Sequence, residues 1–135
     1  MNGVKAFVDT NLFVYLYSDT EPAKRRDVGQ ALNKFQRYVS TQVLNEFCNV
    51  CIRKLKLPLS VVREAIDEIR DVCHLIVVDD ATVTMAINLC ERYGYAYYDC
   101  LIIASAIECG CKYILSEDLS SGQMIQGVMI KNVFE

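Results

Sequence analysis

Short apolar runs alternate with helix-patterned stretches along the whole of this chain, and that alternation restricts its fold more than any other feature. Residues 4–8, 38–40, 75–78, 113–116 and 128–130 are brief, apolar and β-prone. Between them the apolar residues recur at helical spacing. Residues 11–17 suggest a short buried helix. Ser18, Asp19 and Thr20 offer caps for a second, with Pro22 in its first turn and Val28, Leu32 and Phe35 on one face. A third runs over residues 41–55 with Val43, Phe47, Val50 and Cys51 inward, and a fourth opens at Pro58 and Ser60 with Val62, Ile66, Ile69 and Cys73 aligned. A fifth, capped by Asp80 and stopped by Gly94, turns Val83, Ile87 and Cys90 inward, and a sixth starts near Asp99, its residues 100–107 apolar all round. Strand and helix in regular succession predict a mainly parallel sheet with helices on both faces, an α/β fold.

With 135 residues, 53% of them hydrophobic, and no Pro-, Gly- or Ser-rich divider, residues 1–135 read as a single domain. No apolar run is long enough to cross a bilayer, and the start lacks the basic and apolar stretches of a secretory signal, so a cytoplasmic location without membrane attachment is expected. Seven cysteines, an odd number, suit reduced thiols. Cys48 and Cys51 form a CxxC and Cys109 and Cys111 a CxC, the raw material of a four-thiolate zinc site; their positions in apolar helical segments favour packing instead. The net charge of -3 excludes a broadly basic nucleic-acid-coating surface. Local basic clusters remain at Lys24, Arg25 and Arg26 and at Arg53, Lys54 and Lys56.

In a sheet of this kind ligands gather beyond the C-terminal ends of the strands, where strand order reverses. Asp9 follows the first strand and Asp118 follows the strand at residues 113–116; if the two strands are neighbours, the carboxylates converge. Asp99 opens the apolar sixth helix and Glu46 interrupts the apolar edge of the third. Each aspartate alone has a bland explanation as a cap or turn former, but Glu46 does not. Four acids in one place with no neutralising base would repel one another, and a hard divalent cation resolves the conflict. The chemistry suggested is metal-assisted hydrolysis of a phosphodiester.

Those acids sit in four short motifs: Phe7-Val8-Asp9-Thr10-Asn11, Leu44-Asn45-Glu46-Phe47, Tyr98-Asp99-Cys100-Leu101-Ile102 and Leu115-Ser116-Glu117-Asp118-Leu119. In order and spacing they resemble the acidic motifs of PIN-domain ribonucleases, and the tail from Gly122 to Asn132 is similar to that of VapC toxins. The resemblance covers nearly the whole chain. It implies a three-layer α/β/α PIN fold around a central parallel sheet, and a Mg2+ or Mn2+ site formed by the catalytic residues Asp9, Glu46, Asp99 and Asp118. It also implies Thr10 and Ser116 hydroxyls orienting ligands or substrate, endonucleolytic cleavage of RNA, and inhibition by a cognate antitoxin. The toxin-like tail, with the apolar segments 12–17 and 28–35, suggests a homodimer.

Other readings fit less well. A haloacid-dehalogenase phosphatase needs an acid where Asn11 stands, a receiver domain needs paired acids before the strand, and no P-loop lysine follows Gly122 and Gly127. His74, the only histidine, reads as a helix-end residue with no nucleophile beside it. A catalytically silent PIN-like module that binds RNA or protein is the competing class, and retention of all four acids weighs against it. For an acidic enzyme holding a polyanion, Lys24, Arg25, Arg26, Arg53, Lys54 and Lys56 are the expected RNA contacts, because their segments would rim the acid pocket.

Overall fold

The computed structural model describes residues 3–135. Six strands and six helices follow one another in the order β1 (Val4–Val8), α1 (Thr10–Leu16), α2 (Pro22–Leu32), β2 (Phe35–Ser40), α3 (Thr41–Arg53), α4 (Leu59–Val72), β3 (His74–Ile76), α5 (Asp80–Tyr93), α6 (Tyr97–Glu108), β4 (Tyr113–Leu115), β5 (Met124–Ile125) and β6 (Val128–Lys131). The strands make one sheet, β3-β2-β1-β4-β6-β5, parallel throughout except for the β5–β6 pair. This is a three-layer α/β/α fold, as the alternation predicts.

The connections explain where a site can form. From β1 the chain steps outward through β2 to β3, then crosses back over the sheet through α5 and α6 to place β4 on the other side of β1. The reversal therefore falls between β1 and β4, and a crevice opens at their C-terminal ends. Right-handed crossovers put α1 to α4 on one face and α5 and α6 on the other. The packing agrees: α1 rests on α2 and α3, α3 on α4, and α5 on α6.

The centre of the sheet is dry. Ala6, Phe7 and Val8 of β1 and Ile114 and Leu115 of β4 are fully buried. Helix α6 is buried at every position from Cys100 to Ala106, which is why its sequence shows no polar face. Burying one such Leu or Ile is worth about 1.5–3 kcal/mol, so α6 anchors the layer that carries Asp99.

Several expectations need correction. Val83 and Ile87 are exposed at 39% and 55%, while Thr82, Ala86 and Leu89 face inward. The N-cap of α5 is Asp79 rather than Asp80; Asp79 and Thr82 bond each other reciprocally, and the Thr82 hydroxyl donates to Glu108 of α6 at 2.6 Å. Those bonds fix the rotation of the helix against its apolar preference. Phe35 opens β2 instead of ending α2, and His74 is the exposed first residue of β3, stacked on Tyr38, instead of a helix end. Helix α6 begins at Tyr97, which puts Asp99 inside its first turn rather than at its cap. Strand β5 was not expected, since two residues carry no periodicity; a tight turn at Gln126 (φ 47°) and Gly127 (φ 87°) pairs Ile125 with Val128. Within segments 12–17 and 28–35, Leu12, Phe13, Val28, Leu32 and Phe35 lie in the core, while Leu16 and Tyr17 are part-exposed. No described helix is long and apolar enough to cross a membrane.

Candidate active site

Neighbouring strands bring the first and last acids together. Val8 pairs with Leu115, so Asp9 and Ser116 leave the sheet side by side, and the Asp9 N–H donates to the Leu115 carbonyl at 3.0 Å. The Asp9 carboxylate is almost completely buried. Its Oδ1 accepts the Thr10 N–H at 2.7 Å, capping α1, and its Oδ2 accepts the Ser116 hydroxyl at 2.9 Å. Ser116 Oγ in turn accepts the Leu119 N–H at 3.3 Å, which shapes the loop bearing Asp118.

Burial pushes the Asp9 carboxyl up to about 6. The Ser116 and Thr10 hydrogen bonds oppose that shift, and the charges of Asp99 and Asp118 add to it. Glu46, carried on α3 because Ser40 caps that helix after β2, is also pushed up by burial and then by Asp9. Gln42 and Thr10 only partly offset this, and Asp99 adds a further push upward. Its Oε1 is buried with no hydrogen-bond partner, and so is the Thr10 hydroxyl oxygen. Asp99 is raised by burial and then by Asp118. Asp118 itself is exposed and is tethered by the Asn11 side chain, which donates to its Oδ2.

Asp9 is thus the centre of a group of like charges. Among the described residues no lysine, arginine or histidine forms an ion pair with Asp9, Glu46, Asp99 or Asp118. A buried carboxylate in that state is held at a cost unless a cation or a proton answers it. No three acids, cysteines or histidines among the described residues close into a finished ligand cage, which also leaves the four-thiolate zinc arrangement unformed. The donor chemistry nonetheless fits a hard divalent cation: all donors are oxygen, three carboxyls are held above their ordinary range, and two buried oxygens, Glu46 Oε1 and the Thr10 hydroxyl, lack a partner.

Beside Asp118 a cleft of about 540 Å³ is lined by Asn11, Tyr15, Ser18, Thr20, Lys54 and Glu117, among others. Of the six basic residues expected to hold RNA, Lys54 opens onto this cleft. Lys24 instead donates to Glu117 and to the Tyr15 hydroxyl, and its ammonium lies over the Tyr15 and Phe134 rings. Arg25 pairs with Asp19 at 3.4 Å, and with Arg26 it borders a separate cleft against Pro22 and Gly29. Arg53 closes α3, and Lys56 adopts φ 53° in the loop that follows.

Asn11, Tyr15 and Glu117 take roles that the residue-by-residue expectation did not assign. Asn11 matters as the tether of Asp118, and Tyr15, Lys24 and Glu117 form a closed network next to it. Asn11 was visible in the first motif as a polar residue in the first turn of a buried helix. The network joins positions about a hundred residues apart, and nothing local announces it.

A family model described as the PIN domain matches residues 6–120, and the chain belongs to the PIN-domain family. Three solved structures share the fold. VapC20 of Mycobacterium tuberculosis, a Sarcin-Ricin loop cleaving toxin, is 18% identical over 84% of this chain and 89% of its own, with a TM-score of 0.71. A toxin-antitoxin complex from Klebsiella pneumoniae is 21% identical over 92% and 95%, with a TM-score of 0.70. VapBC2 from Rickettsia felis, bound to a DNA fragment from its promoter, is 17% identical over 96% and 98%, with a TM-score of 0.68. The curated proteins include no match.

Proposed function

We propose that the chain is a divalent-metal-dependent endoribonuclease and the toxin of a toxin-antitoxin pair. The observation that carries this reading is Asp9: a carboxyl buried at the reversal point of the sheet, surrounded by three further acids, and given no base to neutralise it. Membership of the PIN family and structural likeness to toxins support it.

Asp9, Glu46, Asp99 and Asp118 would hold Mg2+ or Mn2+. When bound, the cation supplies Lewis acidity, acidifying a water and offsetting charge on the phosphate oxygens. The chain's own part is orientation. Ser116 and the Thr10 N–H clamp both oxygens of Asp9, so its plane is set before any ligand arrives. Asn11 holds Asp118, and the unpartnered Thr10 hydroxyl would orient Glu46 or substrate. Lys54 offers an ammonium for a neighbouring backbone phosphate in the cleft.

A protein antitoxin is the proposed inhibitor. A mostly apolar cleft of about 270 Å³ among α1, α2 and α4, lined by Phe13, Leu16, Tyr17, Leu32, Ile69 and Val72, is the proposed recess for its side chains. A homodimer is proposed through the exposed apolar residues of the α5 and α6 layer, Val77, Val83, Ile87 and Tyr98. The deciding experiment is cleavage of single-stranded RNA by purified protein with Mn2+, Mg2+ or excess EDTA, beside growth of cells expressing wild type or Asp99→Asn. Metal-dependent cleavage and growth arrest by wild type alone are expected. RNA binding without cleavage would identify a silent binding module instead.

A further inference from the structure

Away from the acids, at the opposite end of the sheet, two thiols stand in contact. Cys109 and Cys111 flank Gly110 in the turn between α6 and β4, and their sulfurs are 3.3 Å apart. Gly110 makes that approach possible: its φ of 69° lies in the left-handed region, so the chain folds back within three residues. The turn is fixed on both sides, because the Cys109 and Cys111 N–H groups donate to Ser105 and Ala106 carbonyls of α6. The Lys5 ammonium donates to the Cys109 carbonyl at 2.7 Å and so brings a positive charge to the turn. Cys109 is half-buried and within reach of a small solute, while Cys111 lies behind it, 3% exposed.

We propose that Cys109 and Cys111 are a dithiol modification site that hydrogen peroxide converts into an intramolecular disulfide, which a thiol reductant reopens. The Cys109 sulfur attacks one peroxide oxygen, the O–O bond breaks, and the other oxygen leaves as water after taking a proton. The Cys111 sulfur then attacks the Cys109 sulfenic acid, the S–O bond breaks, and the second water carries away the Cys111 proton. Two thiols are oxidised and one peroxide is reduced to two waters. The sulfurs must close from 3.3 Å to about 2.05 Å, a movement that side-chain rotation on a glycine-centred turn allows.

The order of attack follows first from access, since Cys109 is half-buried and Cys111 almost fully buried. The hydrogen bond shared with Cys111 pulls the Cys109 thiol below its ordinary range; burial opposes this, and Lys5 adds to the lowering. Cys111, sharing that bond and buried, is pushed up and keeps its proton. Cys48, Cys51, Cys73 and Cys100 are all raised by burial, so among the thiols displaced from the ordinary range Cys109 alone is displaced toward the thiolate.

The test is independent of RNA cleavage. Folded wild-type protein is treated with stoichiometric hydrogen peroxide, blocked with an alkylating agent and cut after glutamate. Cleavage at Glu108 and Glu117 isolates residues 109–117, which hold these two cysteines and no other. That peptide should lose two hydrogens and regain them with dithiothreitol. In Cys111→Ser a dimedone adduct should accumulate on Cys109, and in Cys109→Ser none should form on Cys111. The proposal is overturned if the 109–117 peptide keeps both thiols while other cysteines oxidise, or if the dimedone adduct forms on Cys111.

Discussion

Glu117 and Asp9 sit on neighbouring strand ends, and the chain treats their carboxylates in opposite ways. Burial pushes Glu117 upward, but Lys24 and Tyr15 both donate to it and leave it below the ordinary range. Asp9 is buried further, receives only neutral donors, faces three other acids and rises to about 6. The fold can therefore supply a cation to a carboxylate at this edge, and it does so for Glu117. Withholding one from Asp9 on the neighbouring strand end leaves a deficit that a metal ion suits.

The largest expected effect lies on the unsatisfied side. Asp9→Asn and Asp99→Asn should each lower the rate of RNA cleavage by about a hundredfold or more, as measured in single-turnover assays. Neither should reduce stability in the absence of metal, because each removes one of several mutually repelling charges. Cleavage at wild-type rates by both variants would move the site elsewhere.

Stability against pH separates the two carboxylates next. Asp9 binds its proton more tightly in the folded chain than in the unfolded one, so its contribution is full below about pH 4 and lost as pH rises through 6. A difference of this size corresponds to about 3 kcal/mol. Urea unfolding of metal-free protein should show that decline between pH 4 and 6, and Asp9→Asn should flatten it. Glu117, held below its ordinary range, has the reverse sign: its contribution is present near neutrality and lost as acid protonates it. Lys24→Met should therefore lower the melting temperature at pH 7 slightly, with less effect in high salt, and a second change, Glu117→Gln, should recover part of the loss.

The smallest effect concerns RNA affinity. Lys54→Ala should reduce the slope of log affinity against log salt by about 0.7 for single-stranded RNA, the value for one phosphate contact. Arg25→Ala and Arg26→Ala border another cleft and should leave the slope unchanged. Equal slopes for all three would show that Lys54 holds no phosphate.

These contrasts also show what the sequence could and could not carry. Strand β1 leading into Asp9, the apolar helix behind Asp99 and the out-of-place Glu46 are legible because period and burial are local properties of the chain. The pairing of β1 with β4 follows from topology and was reachable as a condition. The rotation of α5 was not legible, since Thr82 turns inward for a hydrogen bond with Glu108 that hydrophobic spacing cannot express. The same holds for Lys24, which read as solvated or RNA-facing surface and is engaged by Glu117 far along the sequence.

The central claim is that the acid group around Asp9 is completed by a divalent cation. Its most direct test is a Mn2+ titration of wild type and Asp9→Asn, followed by calorimetry and thermal unfolding at pH 5 and pH 7.5. Metal and proton compete for the same oxygens, so wild type should bind more tightly and gain more stability at pH 7.5, and Asp9→Asn should lose most of both. Equal binding by the two proteins, or binding indifferent to pH, would contradict the account.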